Sequence, residues 1–173
     1  MDIQIDSREK ARAIQKIVAT FEDKNVNYFV SKLLVGDYMN LDNPRIIIDR
    51  KQNLQELCGN VCQQHERFKK ELIRANQAGI QLIFLVEHSV SIKSIEDVQE
   101  WKNPRKHKTI WKTIDGRKVP TTVSAKAVDG EQLYKSLCTI RDRYGARFEF
   151  CQKKDTGRRI IELLRTDNDQ RRD

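Results

Sequence analysis

The chain has 173 residues, 38% of them hydrophobic and 34% charged, with a formal net charge of +8 at pH 7. The length suits one domain with a core of its own, no apolar run nears the roughly 18 residues that span a bilayer, and residues 1–6 lack the basic-then-apolar order of a secretory leader. The positive excess favours a polyanion such as nucleic acid as partner, and a cytoplasmic, nucleoid-associated location is the expectation.

Residues Asp2–Asp6 alternate polar and apolar side chains and predict a first strand. Ser7 is placed to cap a helix over 10–23, where Ala13, Ile14, Ile17, Val18 and Phe21 recur at helical spacing. Residues 27–34 are rich in β-formers, 40–44 form a turn cluster, and 45–51 return as a strand. A hairpin over 28–51 is therefore expected. A short helix over 54–61 precedes a longer basic one over 64–77, with Phe68, Leu72 and Ile73 inward. The continuous apolar run 80–86, bounded by Gly79 and Glu87, predicts a strand covered on both faces, with Glu87 as its end cap.

Residues 94–101 look like a helix start with Ile95, Val98 and Trp101 inward, whereas 102–123, containing Pro104, Gly116 and Pro120, show no strong period and read as an excursion from the core. A helix over Gly130–Tyr144 ends at Gly145. A strand over Arg147–Cys151 and a helix over Thr156–Leu164, capped at Thr156, complete the pattern. The alternation predicts an α/β fold with a central mixed sheet and helices on both faces. One domain over 1–165, with a basic excursion at about 90–128, is expected to precede a polar, fraying tail at 166–173. Four cysteines are few for a disulfide scaffold. Cys58 and Cys62, one helical turn apart with His65 nearby, read as core thiols in preference to metal ligands.

The chemistry concentrates at the end of the run Ile46-Ile47-Ile48, where Asp49-Arg50-Lys51 follows. On a strand, Asp49 and Lys51 point to one side of the sheet and Arg50 to the other. Upstream, Val35-Gly36-Asp37-Tyr38 supplies a second carboxylate. Two carboxylates and a lysine around a strand end are enough to hold a divalent cation beside a phosphodiester. At an ordinary pKa of about 10.4, only about one lysine in 2,500 is neutral at pH 7, and neighbouring carboxylates raise that pKa further. Lys51 is accordingly read as a charged group that positions the attacking water and stabilises the phosphate, not as a general base.

The order Asp6-Ser7-Arg8-Glu9, then Val35-Gly36-Asp37-Tyr38, then Ile48-Asp49-Arg50-Lys51 resembles the XPF-type structure-specific nuclease domain of the PD-(D/E)XK superfamily, in a compact stand-alone form like that of phage or prophage members. His65-Glu66-Arg67-Phe68, the strand at 80–87 and the closing helix–strand–helix follow in the family's order, so the resemblance spans the chain outside about 90–128. There are departures. The family's Glu-Arg-Lys is Asp49-Arg50-Lys51 here, one methylene shorter. Its next acid is displaced by one position to Glu56, which inherits no catalytic role. Nothing resembles the tandem helix-hairpin-helix or helicase domains that many members carry.

The resemblance implies a restriction-endonuclease-like fold and a Mg2+ ion, replaceable by Mn2+, held by Asp37, Asp49 and the backbone carbonyl of Arg50. It places Asp6 and Glu9 at the edge of that site, with Arg8 holding a phosphate or orienting Asp37. Glu9 is also placed to stabilise a helix dipole, and Arg67 is either a phosphate contact or part of a solvated face. The implied activity is metal-dependent hydrolysis of branched or single-strand-bearing DNA (flap, fork or junction) in repair or recombination, with pairing into a homodimer through this domain. The alternatives are a non-catalytic DNA-binding scaffold subunit and a Holliday-junction resolvase of the same superfamily. Between Trp101 and Lys118, seven basic residues stand against Asp115 alone. Lys106 and Lys108 are candidate phosphate contacts there, and Trp111 a candidate base-stacking group or else a cover for the loop; Trp101 is expected to pack inward.

Overall fold

The sequence Ile47-Ile48 already separates two layers, because neighbours on a strand face opposite sides of a sheet. In the structure, a computed structural model describing residues 1–88, 90–122 and 127–165, Ile47 enters one apolar cluster and Ile48 another. Both lie on β4 (Asn43–Lys51). β4 sits inside a six-stranded sheet with β1 (Asp2–Asp6), β2 (Asn27–Ser31), β3 (Tyr38–Asn40), β5 (Gln81–Glu87) and β8 (Arg147–Cys151), in the order β2-β1-β3-β4-β5-β8. Only β3 runs against its neighbours; β1 pairs parallel with β2, and β4 with β5 and β5 with β8 likewise. The C-terminal ends of five strands therefore share one edge, and β3 starts there.

The Ile47 side is covered by α2 (Leu54–Cys62), α3 (His65–Gln77) and α5 (Gly130–Tyr144), which bring Leu57, Phe68, Leu72, Leu133 and Leu137 onto Phe84 and Val86. The Ile48 side is covered by α1 (Ala11–Asp23) and α6 (Thr156–Leu164), whose Ile14, Ile17, Phe21, Ile160 and Leu164 meet Ile3, Ile5 and Ile83. β5 is thus dry on both faces, as its unbroken apolar run predicts. This is the mixed α/β architecture expected from the sequence. Among the described residues no helix is long and apolar enough to cross a membrane.

Several local expectations change. The 28–51 hairpin does not form: β2 pairs with β1 at the sheet edge, and the partner of β4 is the three-residue β3. Phe29 and Val30 are 41% and 57% exposed on that edge. Lys10, not Ser7, occupies the N-cap of α1 and gives no side-chain cap. Asp155 precedes α6, and the Thr156 hydroxyl is spent on Glu87 and the Lys153 carbonyl. Ile73 is outward, because the inward spacing of α3 runs through Phe68, Leu72 and Ala75. Cys58 is buried as expected, but Cys62 is exposed on the last turn of α2.

The excursion is more ordered than its sequence suggests. Residues Glu96–Glu100 form a 3-10 turn with Val98 and Trp101 buried, followed by the short α4 (Pro104–His107) and a two-stranded ribbon of β6 (Thr109–Ile114) and β7 (Arg117–Thr122). Pro120, which argued against a strand, sits opposite Trp111 on a ribbon with two free edges, where a missing N–H is tolerated. The tail at 166–173 lies outside the described residues.

The 3-10 turn docks on α5 through Gly130. A β-carbon at Gly130 would lie 2.5 Å from the Gln99 carbonyl oxygen and 2.7 Å from that of Trp101, and it would also collide with that of Val98. Gly130→Ala is therefore expected to destabilise the fold by about 1–3 kcal/mol through overpacking against backbone that has little room to yield, read as a lower urea midpoint.

Candidate active site

Asp37 is brought to the end of β4 by a turn that needs glycine. Gly36 has φ +65, and a β-carbon there would meet Ile47 Cγ2 at 2.6 Å. Asp37 is then pinned on three sides. Its N–H donates to the Ile48 carbonyl and its carbonyl accepts from the Asp6 N–H, both at 2.8 Å. Its Oδ2 accepts from the Arg50 N–H, also at 2.8 Å. Asp49 and Lys51 emerge on the side covered by α2 and α3. The Lys51 ammonium donates to Asp49 Oδ1 at 2.6 Å and lies 5.8 Å from the centre of the Phe84 ring.

Burial and mutual repulsion set the electrostatics. The Asp37 carboxyl is pushed up to about 8, first by burial and then by Asp49 and Glu9, against the opposing pull of the Arg50 N–H and Lys51. Burial pushes the Asp49 carboxyl up to about 6; Lys51 works against this and Glu71 adds to it. For Lys51, burial alone would lower the pKa, but Asp49 and Asp37 outweigh it and hold the ammonium above its ordinary value. Lys51 is thus a cation in place, as expected from its neighbours.

Arg50 serves both faces of the sheet. Its backbone N–H goes to Asp37, while its side chain, 3% exposed, turns to the α1–α6 side. There Nε donates to Glu87 Oε1 at 2.7 Å and Nη1 to Glu9 Oε2 at 3.2 Å. The Tyr38 hydroxyl also donates to Glu9, and the Thr156 hydroxyl to Glu87. Glu9 is therefore neither a helix cap nor beside Lys51; it belongs to this buried network while still acting on Asp37 through space. Glu87 is a core ion-pair partner instead of a strand-end cap. Sequence reasoning missed this role, although a glutamate that ends an apolar strand beside Arg50's strand was a usable signal.

Asp6 is fully buried and accepts from the Arg8 and Leu33 N–H groups and from the Arg8 guanidinium at 2.6 and 3.0 Å. Burial would raise its pKa, but these donors outweigh it and hold the carboxyl below its ordinary range. Asp6 and Arg8 thus brace the strand end that holds the Asp37 carbonyl, and the half-exposed Arg8 also feels Asp37 and Glu71.

A cleft of about 360 Å³ opens in front of Lys51, lined by Glu56, Asn60, Gln64, Arg67, Phe68 and Glu71. Glu56 is occupied locally, accepting from the Gln52 N–H and capped in turn by Asn53. Glu71, not foreseen from the sequence, accepts from the Gly36 N–H at 3.2 Å and so ties α3 to the turn that carries Asp37. No spacing rule links a helix glutamate to a glycine 35 positions away.

Among the described residues no three His, Cys, Asp or Glu side chains converge closely enough to hold an ion unaided. The donor set nevertheless fits a hard cation: two carboxylates whose ionisation burial penalises, Asp37 also by the charge of Asp49. Such an ion keeps several waters and takes phosphate oxygens to complete its shell. Of the excursion residues, Lys106 is engaged with Asp129 at 3.3 Å, Lys108 is exposed, Trp111 is 69% exposed, and Trp101 is buried as expected.

Two outcomes follow from these charges. A carboxyl whose folded pKa lies above its unfolded one keeps a proton that the unfolded chain releases, so stability falls as pH rises through the interval between the two. In chelator, the melting temperature should fall between about pH 4 and about pH 8, less steeply in Asp37→Asn. Glu87→Ala, which leaves the buried Arg50 guanidinium with Glu9 alone, should cost about 3 kcal/mol in urea denaturation.

The chain's similarities are consistent with this geometry. The ERCC4 domain model matches residues 5–163. The chain is also similar in structure to XPF from Aeropyrum pernix, with a TM-score of 0.61 and 18% identity over 99% of this chain and 69% of that one. It is similar as well to a structure of XPF from Aeropyrum pernix in complex with DNA, with a TM-score of 0.59 and 16% identity over 94% of this chain and 62% of that one. No curated protein matches it.

Proposed function

The chain belongs to the ERCC4 domain family of XPF-type nucleases, and from that premise we propose that it is a metal-dependent DNA endonuclease that hydrolyses phosphodiesters in branched or partly single-stranded DNA. The observation that carries the reading is the Asp37–Asp49 pair, two carboxyls that burial raises, Asp37 further by the charge of Asp49, with Lys51 fixed against Asp49. Asp37, Asp49 and the Arg50 carbonyl would hold Mg2+, or Mn2+ in its place. Bound there, the cation would lower the pKa of water and offset charge on the phosphate in the transition state.

The residues of the chain have separate tasks. Lys51 remains an ammonium and directs its positive charge at the phosphate, where preorganised donors are most effective because they need no rearrangement. Asp49 orients that ammonium. The Arg50 N–H and the Gly36 turn keep Asp37 facing Asp49, and Glu71 holds the turn in place. The nuclease domain on this reading is the body formed by 1–165, with Arg67 contacting the scissile strand. Lys108 on the ribbon reaches flanking phosphates and Trp111 stacks on an unpaired base, while Lys106 leaves Asp129 to join them. The related XPF structure in complex with DNA supports nucleic acid as the partner.

The test is a panel of labelled flap, fork, bubble, four-way junction and duplex DNAs, incubated with Mg2+, with Mn2+ and with chelator. Cleavage confined to branched or partly single-stranded substrates and to the metal-containing reactions is expected, with losses of at least about 100-fold in Asp37→Asn, Asp49→Asn and Lys51→Ala. Undiminished cleavage by all three variants would refute the site assignment. DNA binding without cleavage under any condition would make the chain a scaffold subunit instead.

A further inference from the structure

α3 carries a feature that neither the fold nor the metal site accounts for. Arg67, Lys70 and Arg74 are all exposed, and at 100° per residue they fall within about 60° of one another on the helix surface. Like charges three and four residues apart weaken a helix. Glu66 and Glu71 lie on the same helix, but neither forms an ion pair with the row among the described residues, and Glu71 is spent on the Gly36 N–H. Elsewhere the chain neutralises such charges: Lys135 pairs with Glu131, and Arg158 and Arg159 both pair with Glu162.

The row begins in the cleft. Arg67 lines the space in front of Lys51 and also the adjoining shallow groove, which continues along Lys70, Ile73 and Arg74. That groove is walled by the three basic side chains and by Ile73, 36% exposed, with Glu66 the one acid on its lining. From Arg67 to Arg74 the helix advances about 10 Å at 1.5 Å per residue. One strand of duplex DNA places a phosphate about every 3.4 Å along its axis, so the row of three cations spans about three phosphate steps.

We propose that Arg67, Lys70 and Arg74 form a track that seats the sugar–phosphate backbone of the strand running away from the scissile bond, with Ile73 against a deoxyribose. The inference rests on the endonuclease reading for the direction of the strand. It names α3, in addition to the basic ribbon, as the surface that holds DNA in register with Lys51. Because Glu71 joins the same helix to the Gly36 turn, the track and Asp37 are mounted on one connected support.

The experiment compares wild type, a triple variant with Arg67→Ala, Lys70→Ala and Arg74→Ala, and a charge-matched control with Lys24→Ala, Arg45→Ala and Arg143→Ala. The control positions precede β2, open β4 and precede β8, at the opposite edge of the sheet. DNA affinity is measured in chelator as a function of salt, and cleavage is measured with Mg2+. The track predicts that the slope of log affinity against log salt becomes shallower by about 2–3, following about 0.9 per duplex phosphate and about 0.7 per single-strand phosphate. It also predicts a raised KM, both in the triple variant and in a Lys70→Ala, Arg74→Ala pair that keeps Arg67, and a melting temperature unchanged or higher because like-charge repulsion is gone. A slope equal to wild type, or an equal loss of slope in the control, overturns the track. If wild type binds DNA but never cuts it, the endonuclease reading falls, while the slope comparison still decides whether α3 holds the backbone.

Discussion

Two carboxylates are held where neither has enough water to ionise freely. Asp37 and Asp49 lie at the end of β4, where burial raises both carboxyls and the charge of Asp49 raises Asp37 further, and the rest of the site is arranged around that cost. Lys51 offsets part of it and the Arg50 N–H a further part. The fold makes this placement possible by reversing one short strand. Because β3 is antiparallel to β4, the turn before it reaches the same sheet edge at which β4 ends. Placement at the C-terminal edge follows the general behaviour of open α/β sheets, where chemistry collects outside the strand ends.

Much of this was legible in the sequence because the relevant periods are short. The alternation through Ile47, Ile48, Asp49, Arg50 and Lys51 assigns each side chain to a face, and the structure keeps that assignment: Ile47 and Ile48 enter opposite clusters, and the Arg50 side chain leaves the site. The dry strand β5 was visible as an unbroken apolar run.

What was not legible depended on partners distant in sequence. Residues 27–31 have the composition of a strand but not its address; parallel pairing with β1 at an edge could not be distinguished from a hairpin with β4. Glu71 and Glu87 look like ordinary helix and strand-end acids until the sheet and α3 are assembled around them. The ribbon at 109–122 was missed for a different reason. Both of its faces are mostly solvated, so it has no apolar alternation to read, and its Pro120 argues locally against a strand.

Arg50 has a consequence that extends beyond the site. Its main chain serves Asp37 and its guanidinium serves the acids on the α1–α6 side, so two demands meet in one residue but through different atoms. Any amino acid except proline would offer the N–H that Asp37 uses. Only a planar, forked cation bridges Glu87 and Glu9 from the same Cα. The identity of the middle residue in Asp49-Arg50-Lys51 is therefore dictated by the scaffold, while its neighbours on either side are the ones assigned to the proposed chemistry. A three-letter signature that looks like one functional unit is two interleaved constraints, and drift at its centre would erode the fold before it altered the reaction.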